Sequence, residues 1–330
     1  MGTRSRVLTV VALAAGAAVA ATVGVTLLQT RGETTKATPA SAAVTSPRPG
    51  APPLELDFGL RTDPEARALT QAAVLYTQGH RAQAGRVFAR YHSLAAQIGA
   101  AFSAWPKGGL EALKHLVASH SHSSLAELHL GLAYYWSGRT GDAVAAFKRA
   151  ASLEPDTSFA LNAETILHPE MPPYPLPVFV PSSPPPAGVE QASGRRQLAI
   201  LSRLAARPGP VAKIYYGIAL QGLGRAVSAE RQFAAAAAAA PDDPEALAAA
   251  AVGRFTKDHP ERAFSRLGPL AKRFPHAAVV RFHLGYLLVW IGAHNQAVKE
   301  LRLAVADAPK SVYAVQATKL LAALRHTGTK

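Results

Sequence analysis

The chain has 330 residues, no cysteine and a formal net charge of +14, with 49% hydrophobic but only 7% aromatic residues. The missing cysteine excludes disulfides, thiolate metal sites, a cysteine nucleophile and lipid attachment through sulfur. Much of the apolar content is alanine, which favours helices in close contact over a bulky sheet core, and the length allows one large domain or two ordinary ones.

Residues 1–6 carry Arg4 and Arg6 and precede an uninterrupted apolar or small-residue run from Val7 to Leu28. As a helix, its 22 residues reach ~33 Å, enough to cross a hydrocarbon core. Two readings compete for residues 7–28. One is a transmembrane anchor. The other is a signal peptide cleaved after Ala18-Val19-Ala20, leaving a terminus at Ala21. The run continues to Leu28, beyond that site, which favours the anchor, and the two arginines then keep residues 1–6 cytoplasmic. Either reading places the bulk of the chain outside the cytoplasm, as a single-pass membrane protein or as a secreted one. Residues 29–62, rich in Thr, Ala, Ser and Pro, read as a disordered linker.

The stretch from Leu128 to Pro155 sets Gly131, Gly138, Ala143 and Ala150 between Leu130, Tyr134 and Phe147 and closes on Pro155. The spacing recurs in Tyr216, Gly217, Leu220, Gly224, Ala229, Phe233, Ala236 and Pro241, and again in Leu284, Gly285, Leu288, Gly292, Ala297, Leu301, Ala304 and Pro309. A weaker copy ends at Pro275, so Pro241, Pro275 and Pro309 stand 34 residues apart. Two antiparallel helices pack closely only where small residues meet, which sets Gly131 against Ala143. The turn at Gly138 needs left-handed backbone, and each proline stops a second helix. Asp63-Pro64-Glu65 and Asp243-Pro244-Glu245 supply an N-cap, an N1 proline and an early acid. The pattern resembles the tetratricopeptide repeat. That resemblance implies an all-α solenoid of antiparallel helix pairs, here joined to an N-terminal transmembrane helix.

A longer period is also present. His129, Leu130, Gly131, Trp136, Gly138, Ala143 and Val144 match His283, Leu284, Gly285, Trp290, Gly292, Ala297 and Val298 at an offset of 154. Near the front, the run from Gly79 matches that from Gly224 at 145. Two lobes follow, 63–167 and 195–324, with a C-terminal tail at 325–330. Between them, residues 168–194 are proline-rich and extended. They read either as a spacer or, because Tyr174, Leu176, Val178, Phe179 and Val180 are apolar, as a segment packed on a lobe.

The resemblance implies ligand binding along the concave surface of the first helices. The inward positions are Leu128, Leu132, Tyr135 and Trp136, then Ile214, Ile218 and Gln221, then Val252 and Phe255, then Phe282, Tyr286, Val289 and Trp290. The family's Lys/Asn carboxylate clamp is absent from them. An apolar, aromatic groove suits an extended hydrophobic or proline-containing segment of a protein partner, with Trp136 and Trp290 as leading contacts. Both tryptophans also suit plain core packing. From Arg195 onward 20 Lys and Arg face 8 Asp and Glu, so an anionic envelope polymer or lipid head group is the rival partner. No nucleic-acid motif appears.

Twelve histidines raise a metal question, chiefly at His115, His120, His122 and His129. None stands in a zinc-type spacing with carboxylates. No phosphate loop, nucleophile elbow or dinucleotide fingerprint occurs. The chain therefore reads as a scaffold without cofactor or catalysis.

Overall fold

The computed structural model describes residues 46–173 and 175–327. The expected span at 7–28 lies outside them, and no helix among the described residues is long and apolar enough to cross a membrane. The described residues form two compact units that divide next to Pro175.

In the first lobe the helices are α1 (Pro64–Thr77), α2 (Arg81–Phe88), α3 (Leu94–Ser103), α4 (Gly109–Ser119), α5 (Ser124–Trp136), α6 (Thr140–Leu153) and α7 (Ser158–Leu167). The second lobe holds α8 (Gly194–Ala205), α9 (Val211–Gly222), α10 (Ala226–Ala239), α11 (Pro244–Val252), α12 (Glu261–Arg273), α13 (Ala278–Trp290), α14 (His294–Asp307) and α15 (Val312–Thr327). The last helix runs past Leu324, so residues 325–327 continue it instead of forming a tail.

Local chemistry sets the ends of these helices. Asp63 caps α1 through the Ala66 N–H at 3.0 Å, and Asp243 caps α11 through the Glu245 N–H at 2.9 Å. The turn glycines Gly138, Gly224 and Gly292 have φ of 77°, 69° and 73°, the left-handed region that a side chain disfavours. Pro155, Pro241, Pro275 and Pro309 each follow the final helical residue by two positions. The intervening residues leave helical geometry, Glu154 at φ −128°, ψ 70° and Ala308 at φ −148°, ψ 75°, because the proline ring disfavours α conformation in the residue before it.

In the three good copies the helix pair crosses at a glycine, but the partner differs from the expected alanine. A Cβ on Gly131 would stand 2.5 Å from the Phe147 ring, and one on Gly217 would stand 2.5 Å from Phe233. Ala143 is buried nearby. Phe147, one turn further along α6, fills the space left by the missing side chain. In the third good copy Leu301 takes the place of the ring, 2.8 Å from a Cβ on Gly285. Ala229 and Ala297 are buried at positions equivalent to Ala143.

Neighbouring helices in the chain pack on one another, and the first helices of successive pairs also touch: α1 on α3, α3 on α5, α5 on α7, then α9 on α11, α11 on α13 and α13 on α15. First helices thereby form the inner surface of each lobe. The first core centres on Leu69, Phe88, Ile98, Phe102, Leu128 and Phe147. Phe233, Phe255, Leu267, Val280, Phe282 and Leu301 are buried in the second.

Residues 46–62 correct the expectation of a disordered linker over 29–62. Ala51, Leu54, Leu56 and Phe58 are partly buried against the first core. These apolar residues follow the Ser/Thr-rich part of the stretch, and burying them outweighs the entropy of a free tether.

Candidate functional site

In both lobes the inner surface carries an extended, proline-containing segment of the chain itself. We call these straps.

In strap 1, residues 46–58, the first anchored residue is Arg48. Its N–H donates to the Trp136 carbonyl at 2.8 Å, and its guanidinium donates to the Tyr135 carbonyl at 3.0 Å while lying 3.6 Å above the Tyr135 ring. The Pro52 carbonyl accepts from the Tyr76 hydroxyl at 2.5 Å. The Glu55 N–H donates to His129 Nε2 at 3.1 Å, and the Asp57 carboxylate accepts from Ser158 at 2.5 Å. These contacts come from α1, α5 and α7, all first helices or their continuation.

Strap 2 runs from Pro175 to Val189. Gln221 donates to the Pro177 carbonyl at 3.3 Å and accepts from the Phe179 N–H at 3.2 Å. The Phe179 ring is buried and stacks on His283, with centroids 4.3 Å apart and planes 9° from parallel. The Val180 N–H donates to His283 Nε2 at 3.0 Å. Ser182 donates to Glu245 through its N–H at 2.8 Å and also through its hydroxyl, and Tyr215 donates to the Ser183 carbonyl at 2.5 Å. Val189 closes the strap by burying itself with Leu201 and Tyr215. Of the two readings of residues 168–194, the contacts of residues 177–189 match the packed segment.

The two histidines use both ring nitrogens in the same way. Nδ1 of His129 lies 2.7 Å from the Leu125 carbonyl, and Nδ1 of His283 lies 2.8 Å from that of Val279. A carbonyl can only accept, so Nδ1 carries the proton and Nε2 offers its lone pair to the strap N–H. Protonating Nε2 would set two donors against each other. Burial pushes the pKa of His129 down to about 4 and that of His283 to about 3. On strap 1, burial pushes the Glu55 carboxyl up to about 7.

The expected groove positions lie in this setting. Leu128, Leu132 and Tyr135 are buried in the first core, and Trp136 is half-buried with its carbonyl on Arg48. In the second lobe Ile214 is buried, whereas Ile218 packs beside Leu201 and Tyr215. Phe255 meets Trp290 edge-on at 6.1 Å, and Phe282 stacks on Tyr286 at 5.9 Å. Trp290 is 8% exposed, so this member of the tryptophan pair packs against Phe255 and offers little free face.

Six of the anchoring side chains are not legible in the sequence: Tyr76, His129, Ser158, Tyr215 and His283 as donors or acceptors to a strap, and Glu245, which by position is only an early helix acid. The match of His129 with His283 across the duplication is the signal that points to the two histidines. Gln221, an expected inner-surface position, is an anchor. Of the histidines considered for metal, His129 is wholly buried against strap 1, and His120 turns back onto the Leu116 carbonyl at the end of α4.

Glu127 and Arg149 form a bidentate pair at 2.8 and 3.0 Å between α5 and α6. In the second lobe several acids are matched by arginines, Glu230 with Arg254, Asp242 with Arg273 and Glu300 with Arg281. The excess of cations there is carried by the remaining basic residues.

No family model matches the chain, and no curated protein matches it in sequence. Among solved structures it overlaps a chain of the APC/C hetero-tetramer Cut9-Hcn1 at 14% identity and a TM-score of 0.32, over 80% of this chain and 50% of that one. It overlaps the TPR2AB domain of yeast Sti1, solved as a complex with pHSP90, at 11% identity and a TM-score of 0.28, over 81% of this chain and 98% of that one. The chain thus spans half the length of the first of these. With helix pairs crossing at glycine, left-handed turn glycines and closing prolines in a 34-residue phase, the fold is that of the tetratricopeptide repeat.

Proposed function

We propose that this chain is a membrane-tethered, extracytoplasmic scaffold that acts by protein–protein interaction along the inner surfaces of its lobes. The observation that carries the reading is the pair of straps: each lobe holds an extended proline-containing segment through backbone hydrogen bonds to first-helix side chains. A surface that holds one such segment has the chemistry to hold another. The apolar run from Val7 to Leu28 supports the tether.

Photo-crosslinking in intact cells tests this. A crosslinker at the half-buried inner positions Trp136 and Tyr286 should trap a protein that a crosslinker at Lys114 does not. Equal yields at all three positions would overturn the interaction role. Carbonate-washed membranes should retain the chain, with externally added protease reaching both lobes. A soluble product beginning at Ala21 would overturn the tether.

A second reading has an observation of its own, the net charge of +12 from Arg195 onward. Binding of an anionic envelope polymer or lipid head group by this lobe should weaken steeply with salt, whereas strap-like binding should not.

A further inference from the structure

Strap 1 and strap 2 share almost no sequence, yet they lie in one register. Taking Pro52 and Pro177 as the first position, both prolines present a carbonyl to the α1 or α9 side chain that the front offset of 145 makes equivalent, Tyr76 or Gln221. Two residues on stand Leu54 and Phe179, apolar side chains turned into their lobe. Three residues on, the N–H groups of Glu55 and Val180 meet the equivalent histidines, His129 and His283. Five residues on, the straps diverge: Asp57 meets Ser158 on α7, whereas Ser182 meets Glu245 on α11, which is not the equivalent of α7 in the duplication. Three coincidences along four strap residues, against helices that repeat by duplication, describe one receptor and two ligands.

We infer that the two lobes carry copies of a single recognition site, that it reads an extended segment with proline first, a large apolar residue two positions on and a backbone N–H three positions on, and that a partner segment of this chemistry enters in trans by replacing the resident strap. This inference rests on the scaffold reading and names its ligand. Three features of the contacts argue for it. Most of the hydrogen bonds engage the strap backbone, which any non-proline residue supplies, so the site is tolerant of sequence. The histidine acceptor makes proline at the third following position unusable, because proline has no N–H. The same site has already accommodated Leu54-Glu55-Leu56 and Phe179-Val180-Pro181, which differ in charge and bulk.

The test uses the full chain carrying Val180→Pro, which deletes the N–H bound by His283 and leaves every groove residue intact. Labelled synthetic peptides of residues 175–185 and 50–60 serve as probes, read by fluorescence anisotropy. Both should bind the variant at least tenfold more tightly than they bind the unaltered chain, where the resident strap competes. A 175–185 peptide with proline at position 180 should not bind, and adding Gln221→Ala to the variant should weaken both probes about equally. Binding of the 175–185 peptide alone would overturn the single-site claim. Absence of binding by either peptide, with amide exchange showing strap 2 released and the helices still protected, would overturn entry in trans. If Val180→Pro unfolds the lobe, the same measurement passes to Glu55→Pro. Unfolding of both would also overturn it, since a groove that cannot stand without its strap cannot exchange one. None of these failures touches the tether or the crosslinking result, which judge the scaffold reading separately.

Discussion

The two lobes solve one problem with different side chains. Both keep a wholly buried histidine whose Nδ1 is tied to its own helix and whose Nε2 holds a strap N–H. Around it nearly everything has changed. Lobe 1 anchors its proline carbonyl with a tyrosine and adds Arg48 over the Tyr135 ring. Lobe 2 uses a glutamine that grips the strap twice and stacks Phe179 on the imidazole. Interactions that hold the backbone have persisted while those that hold side chains have drifted. The backbone geometry of an extended strap is the same whatever its sequence, so each meeting point needs a donor or acceptor, which His129 and His283 supply alike and Tyr76 and Gln221 supply differently.

The difference between lobes can be tested by breaking each in turn. Gly131→Val should have the largest effect. Its side chain would meet the Phe147 ring inside van der Waals contact, costing more than about 3 kcal/mol. Amide exchange should show the first lobe opening while the second keeps its protection. Coupled loss in both lobes would mean that they do not fold as separate units.

His283→Ala should come next, at about 3 kcal/mol, because it removes the stack on Phe179 and orphans the Val180 N–H. His129→Ala should cost less in thermal denaturation. The apolar residue that precedes its strap N–H, Leu54, is only partly buried, whereas Phe179 is fully buried. Equal losses would show that the histidine acts through the N–H alone.

Acidity separates the straps further. A carboxyl raised from 4.5 to about 7 supports strap 1 fully below 4.5 and loses that support as the pH rises through 7. Raising the pH from about 5 to 8 should therefore speed exchange at the Glu55 N–H beyond its intrinsic rise, but not at the Val180 N–H, and Glu55→Gln should abolish the effect. The histidines act in the opposite sense. Their depressed pKa values give support that is complete above 6.5 and is lost as the pH falls through about 4 in lobe 1 and then about 3 in lobe 2. Strap 1 should leave first on acidification, as read by exchange of the two N–H groups.

The smallest effect expected is that of Arg48→Ala, about 1 kcal/mol from one ring contact and one hydrogen bond at the edge of lobe 1. A melting curve should register it in lobe 1 only. No loss there would place the hold on strap 1 wholly at Tyr76, His129 and Ser158.

Features that depend on neighbours in the chain are legible in the residue order alone. Turn glycines, closing prolines and capping aspartates each act over a few residues, and a fixed 34-residue phase makes chance agreement implausible. Packing is legible only in part. Small residues at Gly131 and Ala143 announce a close crossing, but the atom over the glycine belongs to Phe147, because a ring one turn away reaches where a methyl does not. Strap 1 resembles a linker in composition because proline, threonine and serine dominate the stretch before it. Its anchors, His129 and Ser158, lie 74 and 101 residues away from their strap partners, and no local pattern encodes such a meeting. Strap 2 is easier to detect, since five apolar residues in a proline run are costly to leave in water.

By itself, then, the amino-acid order determined the helix pairs, their phase and their duplication, since these follow from backbone preferences and small-residue spacing along short stretches. Tertiary structure alone decided that each inner surface is occupied, by which residues, and that two unlike segments share one register. Those facts depend on where buried acceptors and ring faces come to rest in space, which is a property of the packed helices and not of any one of them.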